Sequence, residues 1–170
     1  MPDRKGNFIM EELLQEIERI KVQQRTLEFE KFDEETAWEL GHCLRSQAQE
    51  RGYPIAVCVT LNRRRLFYCS MPGAASINDQ WVRRKENLVY LFQKSSYEMA
   101  LYLRVKNDTL TNRYGLCSED YAAAGGSVPL LIKGTGAVGA VTVSGLSEKE
   151  DHELVVTAIR QIIGLQRGVS

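Results

Sequence analysis

The residues best suited to chemistry fall in one run, Asp120-Tyr121-Ala122-Ala123-Ala124-Gly125-Gly126-Ser127-Val128-Pro129. Paired glycines reach backbone angles that other residues avoid, and their unshielded amides can face an anion. The same run also reads as a tight approach into a strand, with Pro129 at a sheet edge because it has no N–H for a ladder. Tyr114 and Tyr121 suit either reading, as ligand contacts or as packing residues with wet hydroxyls. The basic clusters are Arg63-Arg64-Arg65 and Arg83-Arg84-Lys85. They read as solvated faces unless Arg84 or Lys85 turns toward Gly125, Gly126 and Ser127. In that case cation and amides together make a pocket for a carboxylate or phosphate.

His152 follows Asp151 and stands among Glu148, Glu150 and Glu153. An imidazole there could transfer a proton or contact a ligand near neutral pH, and it is the sole catalytic candidate. Acidic residues in a first turn are also the ordinary complement of a helix dipole, which puts His152 on a solvated helix start. His42, beside Gly41, reads as a partly buried packing residue. Cys43, Cys58, Cys69 and Cys117 show neither CxxC nor zinc spacing, so reduced thiols and no metal site are expected. Gly134, Gly136 and Gly139 spell a dinucleotide fingerprint, but that motif needs a helix after it, and Ala140 to Ser144 reads as strand. Gly139 marks instead a bulge or a close backbone approach. Ser144-Gly145 lacks a hydrolase elbow, and no carboxylate dyad stands out.

Residues 7–23 place Met10, Leu13, Leu14, Ile17 and Ile20 at helical spacing, and Thr26 to Glu30 alternates as a short strand. Asp33 caps a second helix that stops at Gly52. Ile55 to Leu61 and Leu66 to Met71 form a hairpin across Asn62-Arg63-Arg64. Ser76 with Asp79, Ser95 with Glu98, and Ser147 with Glu150 are capping patterns for three further helices, with a bend at Ser95. Asn107 to Glu119 has no usable period and reads as a surface loop. Ser127 to Lys133 and Ala137 to Ser144 make a second hairpin around Gly134-Thr135-Gly136. Two hairpins separated by helices exclude parallel crossovers throughout, so the order gives an α+β fold with about five mostly antiparallel strands flanked by helices.

The 170 residues suit a single domain, with residues 1–8 as a flexible N-terminus and 9–166 as one α/β unit. The composition, 44% hydrophobic and 26% charged, is that of a globular chain with enough apolar residues for a core. Twenty-two basic residues cancel 22 acidic ones, so no net field draws nucleic acid or an anionic membrane, and neither is expected as a partner. No run approaches the ~20 apolar residues of a bilayer span, and the start lacks a secretory core, so the cytoplasm is expected.

Four patches in order carry a resemblance: Trp81 with Arg83-Arg84-Lys85; Asp120 to Ala123; Gly125 to Pro129; and Gly139 through Val143-Ser144-Gly145, followed by Asp151-His152. Over roughly residues 10–165 the chain resembles the bacterial and fungal branch of the GlcG/HbpS-like superfamily, the heme-degrading domain. The resemblance implies a profilin-like fold, homo-oligomers and, in some relatives, heme or iron. It also implies a histidine between the alanines and the glycine pair, where this chain has Ala124, leaving Arg84, Tyr121 and His152 as the polar groups to examine. The expectation is an oligomeric, non-catalytic cytosolic module for a small anionic or tetrapyrrole ligand, with Arg84, Lys85, Tyr121, Gly125, Gly126, Ser127 and His152 as its binding set. The alternatives are a protein-interaction scaffold without a pocket and a small enzyme using His152 as acid or base.

Overall fold

The computed structural model describes residues 4–168. The elements run α1 (Arg4–Arg25), β1 (Glu28–Phe29), α2 (Glu34–Arg51), β2 (Ala56–Leu61), β3 (Arg64–Ser70), α3 (Ile77–Phe92), α4 (Ser96–Lys106), α5 (Leu110–Tyr114), β4 (Ser127–Ile132), β5 (Gly136–Ser144) and α6 (Glu148–Gln166). Residues 1–3 of the expected flexible lead lie outside the described residues, and from Arg4 the chain is already helical.

The five strands form one sheet in the order β1-β4-β5-β2-β3. β2 pairs antiparallel with β3 and β5, and β4 with β5, so both hairpins share a common sheet; only the two-residue β1 runs parallel, beside β4. The α+β expectation therefore holds. Asn62 and Arg63 turn the first hairpin with φ of 49° and 67°, the left-handed pair whose twist suits adjoining strands. β1 reaches only Leu131 and Ile132, so Pro129 sits where β4 has no outer neighbour. Gly139 lies beside a register irregularity, and a Cβ there would come within 2.1 Å of the Thr60 carbonyl oxygen, which accounts for the glycine by close backbone approach.

Side-chain alternation divides β2 between two layers. Val57 and Val59 join Leu40 and Leu44 of α2 and Val155 and Ile159 of α6 in the main core, while Ala56 and Cys58 meet Val82 of α3 on the opposite face. α1 lies on α4 through Ile17, Ile20, Tyr97 and Leu101.

Three of the expected helix caps form: Asp33 accepts from the Thr36 amide, Ser95 from Glu98, and Ser147 and Glu150 make a reciprocal capping box. Ser76 does not cap α3. Its own backbone is already helical, with φ −56° and ψ −30°, and the Asp79 carboxylate is engaged by the Tyr68 hydroxyl instead. The segment read as a loop, Asn107 to Glu119, contains α5. Thr109 caps it by accepting from the Asn112 amide, and Gly115, at φ 67°, closes it after barely more than a turn, too short to show a hydrophobic period.

Candidate functional site

Helical spacing sets Trp81, Arg84, Lys85 and Leu88 along one side of α3. Two clefts meet there. The larger, about 580 Å³, is walled by Trp81 and Arg84, by Ala100, Leu103 and Arg104 of α4, by α5 and by Tyr121 to Ala124. The smaller, about 380 Å³, lies across Trp81, between Lys85, Gly125, Gly145 and the first turn of α6. Trp81 and Ala124 line both.

Lys85 does turn toward the glycine doublet, but it meets carbonyls there. Its Nζ donates to Gly125 O at 2.9 Å and Val143 O at 2.7 Å, and lies 3.4 Å from Asp151 Oδ2. Asp151 also accepts from the amides of Gly145 and Leu146. Both side chains of the pair are 3% exposed. Burial pulls the ammonium below its ordinary value and pushes the carboxyl up, and mutual attraction opposes both shifts. Three acceptors satisfy three ammonium protons, so the charged pair is the state this geometry fits. The pair ties the approach to β4, the end of β5 and the start of α6 into one knot.

That knot explains the doublet. Gly126 has φ 131°, and a Cβ there would lie 2.3 Å from Val143 O and 2.4 Å from Lys85 Nζ. The Gly125 amide donates to Glu148 Oε1 at 3.2 Å. Ser127 is fully buried, its amide on Ser96 Oγ at 3.0 Å and its hydroxyl 2.8 Å from Thr142 Oγ1. In this arrangement Gly125, Gly126 and Ser127 hold protein groups, and only Gly125 reaches a cleft.

Arg84 is differently placed. Its guanidinium lies 4.6 Å from the centroid of the Trp81 ring, and its buried Nε has no hydrogen-bond partner among the described residues. The neighbouring Arg83 takes Asp120 Oδ1 at 3.0 Å and Glu119 O at 2.7 Å. Arg104 is taken by Glu148. Arg84 is thus the cation of the large cleft without an anion. Tyr121 stands half-buried beside it, against Leu88, Met99, Leu103 and Leu110. The residues of the α4 and α5 walls fall on a helix flank and in the segment that lacks a hydrophobic period, where the one local signal is the Thr109-x-x-Asn112 cap ahead of Gly115.

His152 corrects the sequence reading: it is 1% exposed, not solvated. Its Nε2 lies 2.7 Å from Gln23 Oε1, its ring 5.1 Å from that of Tyr97, and it lines neither cleft. Helical spacing to Val155, Val156 and Ile159 was the signal for an inward face. Burial, aided by the Arg19 charge and opposed by Glu153 and Glu16, lowers its pKa to about 4, so the ring is neutral at pH 7. His42 is exposed and stacks on Trp38, also unlike the packing role expected for it.

The large cleft suits a flat ligand with an apolar face and a carboxylate, through Trp81, the alanines and Arg84. It does not suit an iron held by imidazole or thiolate, because no histidine, cysteine or methionine lines it; Tyr121 is its one phenol. Among the described residues no group of three or more His, Cys, Asp and Glu side chains could hold a metal ion.

Comparison with known proteins places this arrangement among relatives. The family described as "Haem degrading protein HbpS-like" matches residues 32–160. A UPF0303 protein of Rhizobium rhizogenes is 46% identical over 88% of this chain and 92% of its own length, and one of Acidobacterium capsulatum is 45% identical over 90% and 93%. Among solved structures, Ybr137w aligns with a TM-score of 0.83 at 24% identity, covering 89% of each chain. The PduOC:Heme complex aligns with a TM-score of 0.66 at 18% identity, covering 76% of this chain and 93% of its own.

Proposed function

The chain belongs to the HbpS-like family of haem degrading proteins, and on that premise we propose that it is an oligomeric, non-catalytic cytosolic module that binds a small planar anion of the tetrapyrrole class in the large cleft. The observation that carries the reading is Arg84, a cleft-lining guanidinium over the Trp81 ring with no carboxylate partner among the described residues. The Nε is itself buried, so the terminal N–H groups of Arg84 are the ones a carboxylate in the cleft would meet. The volume, about 580 Å³, lies within the usual range for small-molecule sites. That a neighbour of the same fold has been solved as a heme complex supports the choice of ring system. Tyr121 and the Ala122 to Ala124 wall supply the apolar contact, Lys85 and the Gly125-Gly126-Ser127 segment hold that wall in place, and the buried His152 has no proton-transfer role.

Titration with hemin and a panel of aromatic and aliphatic carboxylates, read by absorbance and thermal shift, tests this. A true ligand at a hundredfold excess over its Kd stabilises the fold by about 2.7 kcal/mol. Arg84→Ala is expected to weaken binding tenfold or more at unchanged fold. Absence of stabilisation by every compound would refute the binding reading.

One observation favours the scaffold alternative. Phe8, Ile9 and Leu14 on the first turns of α1 are 62%, 56% and 48% exposed, an apolar surface suited to another protein or to a second copy. Light scattering of the wild type and of Leu14→Glu checks it: a monodisperse monomer in both removes the case for assembly through α1.

A further inference from the structure

Resting on the tetrapyrrole reading above, we infer that the Trp81 cleft grips its ligand by a carboxylate and a flat apolar face, with no bond to a central metal. An iron-free planar dicarboxylate should therefore bind as well as its iron complex.

Protein ligands for heme iron are histidine, cysteine, methionine and tyrosine. Both histidines lie away from the cleft, His152 buried against Gln23 and His42 on the exposed face of α2 against Trp38. No cysteine or methionine lines the cleft: Met99 is 3% exposed within the apolar cluster, Cys58 is buried on the α3 face of β2, and the exposed Cys117, though next to Ser118, is not part of the wall. At position 124 the wall presents a methyl group to both clefts. That leaves the Tyr121 phenol, which packs among Leu88, Leu103 and Leu110 as part of an apolar wall.

What the cleft does offer is directional toward a carboxylate. Arg84 lies over Trp81 with its Nε buried, which leaves its terminal N–H groups for the cleft, and a pair of such donors matches a carboxylate fork. Trp81, Ala100, Leu103 and the alanine run offer faces and methyl groups to a ring. Recognition of this kind ignores the occupant of the ring's centre and is lost when the acid is masked.

Calorimetric titration of the purified chain with protoporphyrin IX, hemin and protoporphyrin IX dimethyl ester, each solubilised in the same detergent, tests the inference. Wild type is expected to bind the two acids with Kd values within about threefold of one another and the diester at least tenfold more weakly. Arg84→Ala should weaken both acids together, Arg84→Lys should recover only part of the loss, and Tyr121→Phe should change the two acids by the same factor. Hemin binding more than tenfold tighter than the iron-free acid, with the advantage and a ferric-phenolate absorption band both erased by Tyr121→Phe, overturns the inference and leaves the tetrapyrrole site standing. Failure of both acids to bind removes the tetrapyrrole site itself. Thermal unfolding of each variant separates a lost contact from a lost fold.

Discussion

Acidification should destabilise this protein through His152, and the size of the effect follows from its surroundings. The ring is 1% exposed, and its Nε2 donates to Gln23 Oε1, because the Gln23 amide nitrogen is used on Glu153. Its Nδ1 is buried with no partner, so a second proton would enter a site without an acceptor. The folded pKa falls from 6.5 to about 4. Because the unfolded chain takes the proton first, the contribution to stability is complete above pH 6.5 and drains away as pH falls toward 4. At ~1.4 kcal/mol per unit the whole shift is worth about 3 kcal/mol, of which about 2 kcal/mol is lost between pH 7.5 and 5.0. Burial also raises the carboxyls of Glu86, Glu98 and Asp151, so the comparison must be with a variant. Urea unfolding of wild type and His152→Gln at the two pH values isolates the ring. With a slope of about 2 kcal/mol per molar, the wild-type midpoint should drop by about 1 M more than that of the variant. Equal drops in the two proteins, or a His152 resonance titrating near 6.5 in the folded state, would refute the reasoning.

Two further outcomes follow from the knot beneath the glycine doublet. Lys85→Met leaves Asp151 and two carbonyls without their cation and should cost about 3–5 kcal/mol by denaturant unfolding, with part of the loss restored by pairing it with Asp151→Leu. Gly126→Ala adds a Cβ 2.3 Å from Val143 O at a φ of 131°, so the thermal midpoint should fall by several degrees, and by far more than for Gly134→Ala, where a Cβ meets open space.

The Arg84 site was legible only in part. The patch of Trp81 with the basic triplet and the Asp120 to Pro129 run marked the right neighbourhood, and the structure does bring them together. The roles divided otherwise. Residue types alone do not show whether an amide or a carbonyl faces a lysine, and it was the Gly125 and Val143 carbonyls that took Lys85. Nor could they show that Arg83 would find Asp120 while Arg84, one position on, would find nothing but an indole.

Periodicity and caps determined the elements by themselves. Alternating apolar residues, the Asp33, Ser95 and Ser147 caps and the turn residues of both hairpins are local signals, and each acts within about one turn of helix or one strand pair. Burial and partnership were decided by tertiary structure. His152 has the same neighbours in sequence whether or not Gln23 of α1 reaches it, and only the burial supplied by distant elements lowers its pKa to about 4. The difference is one of range: hydrogen bonds within a turn are written in adjacent residues, whereas desolvation depends on which distant surfaces close over a group.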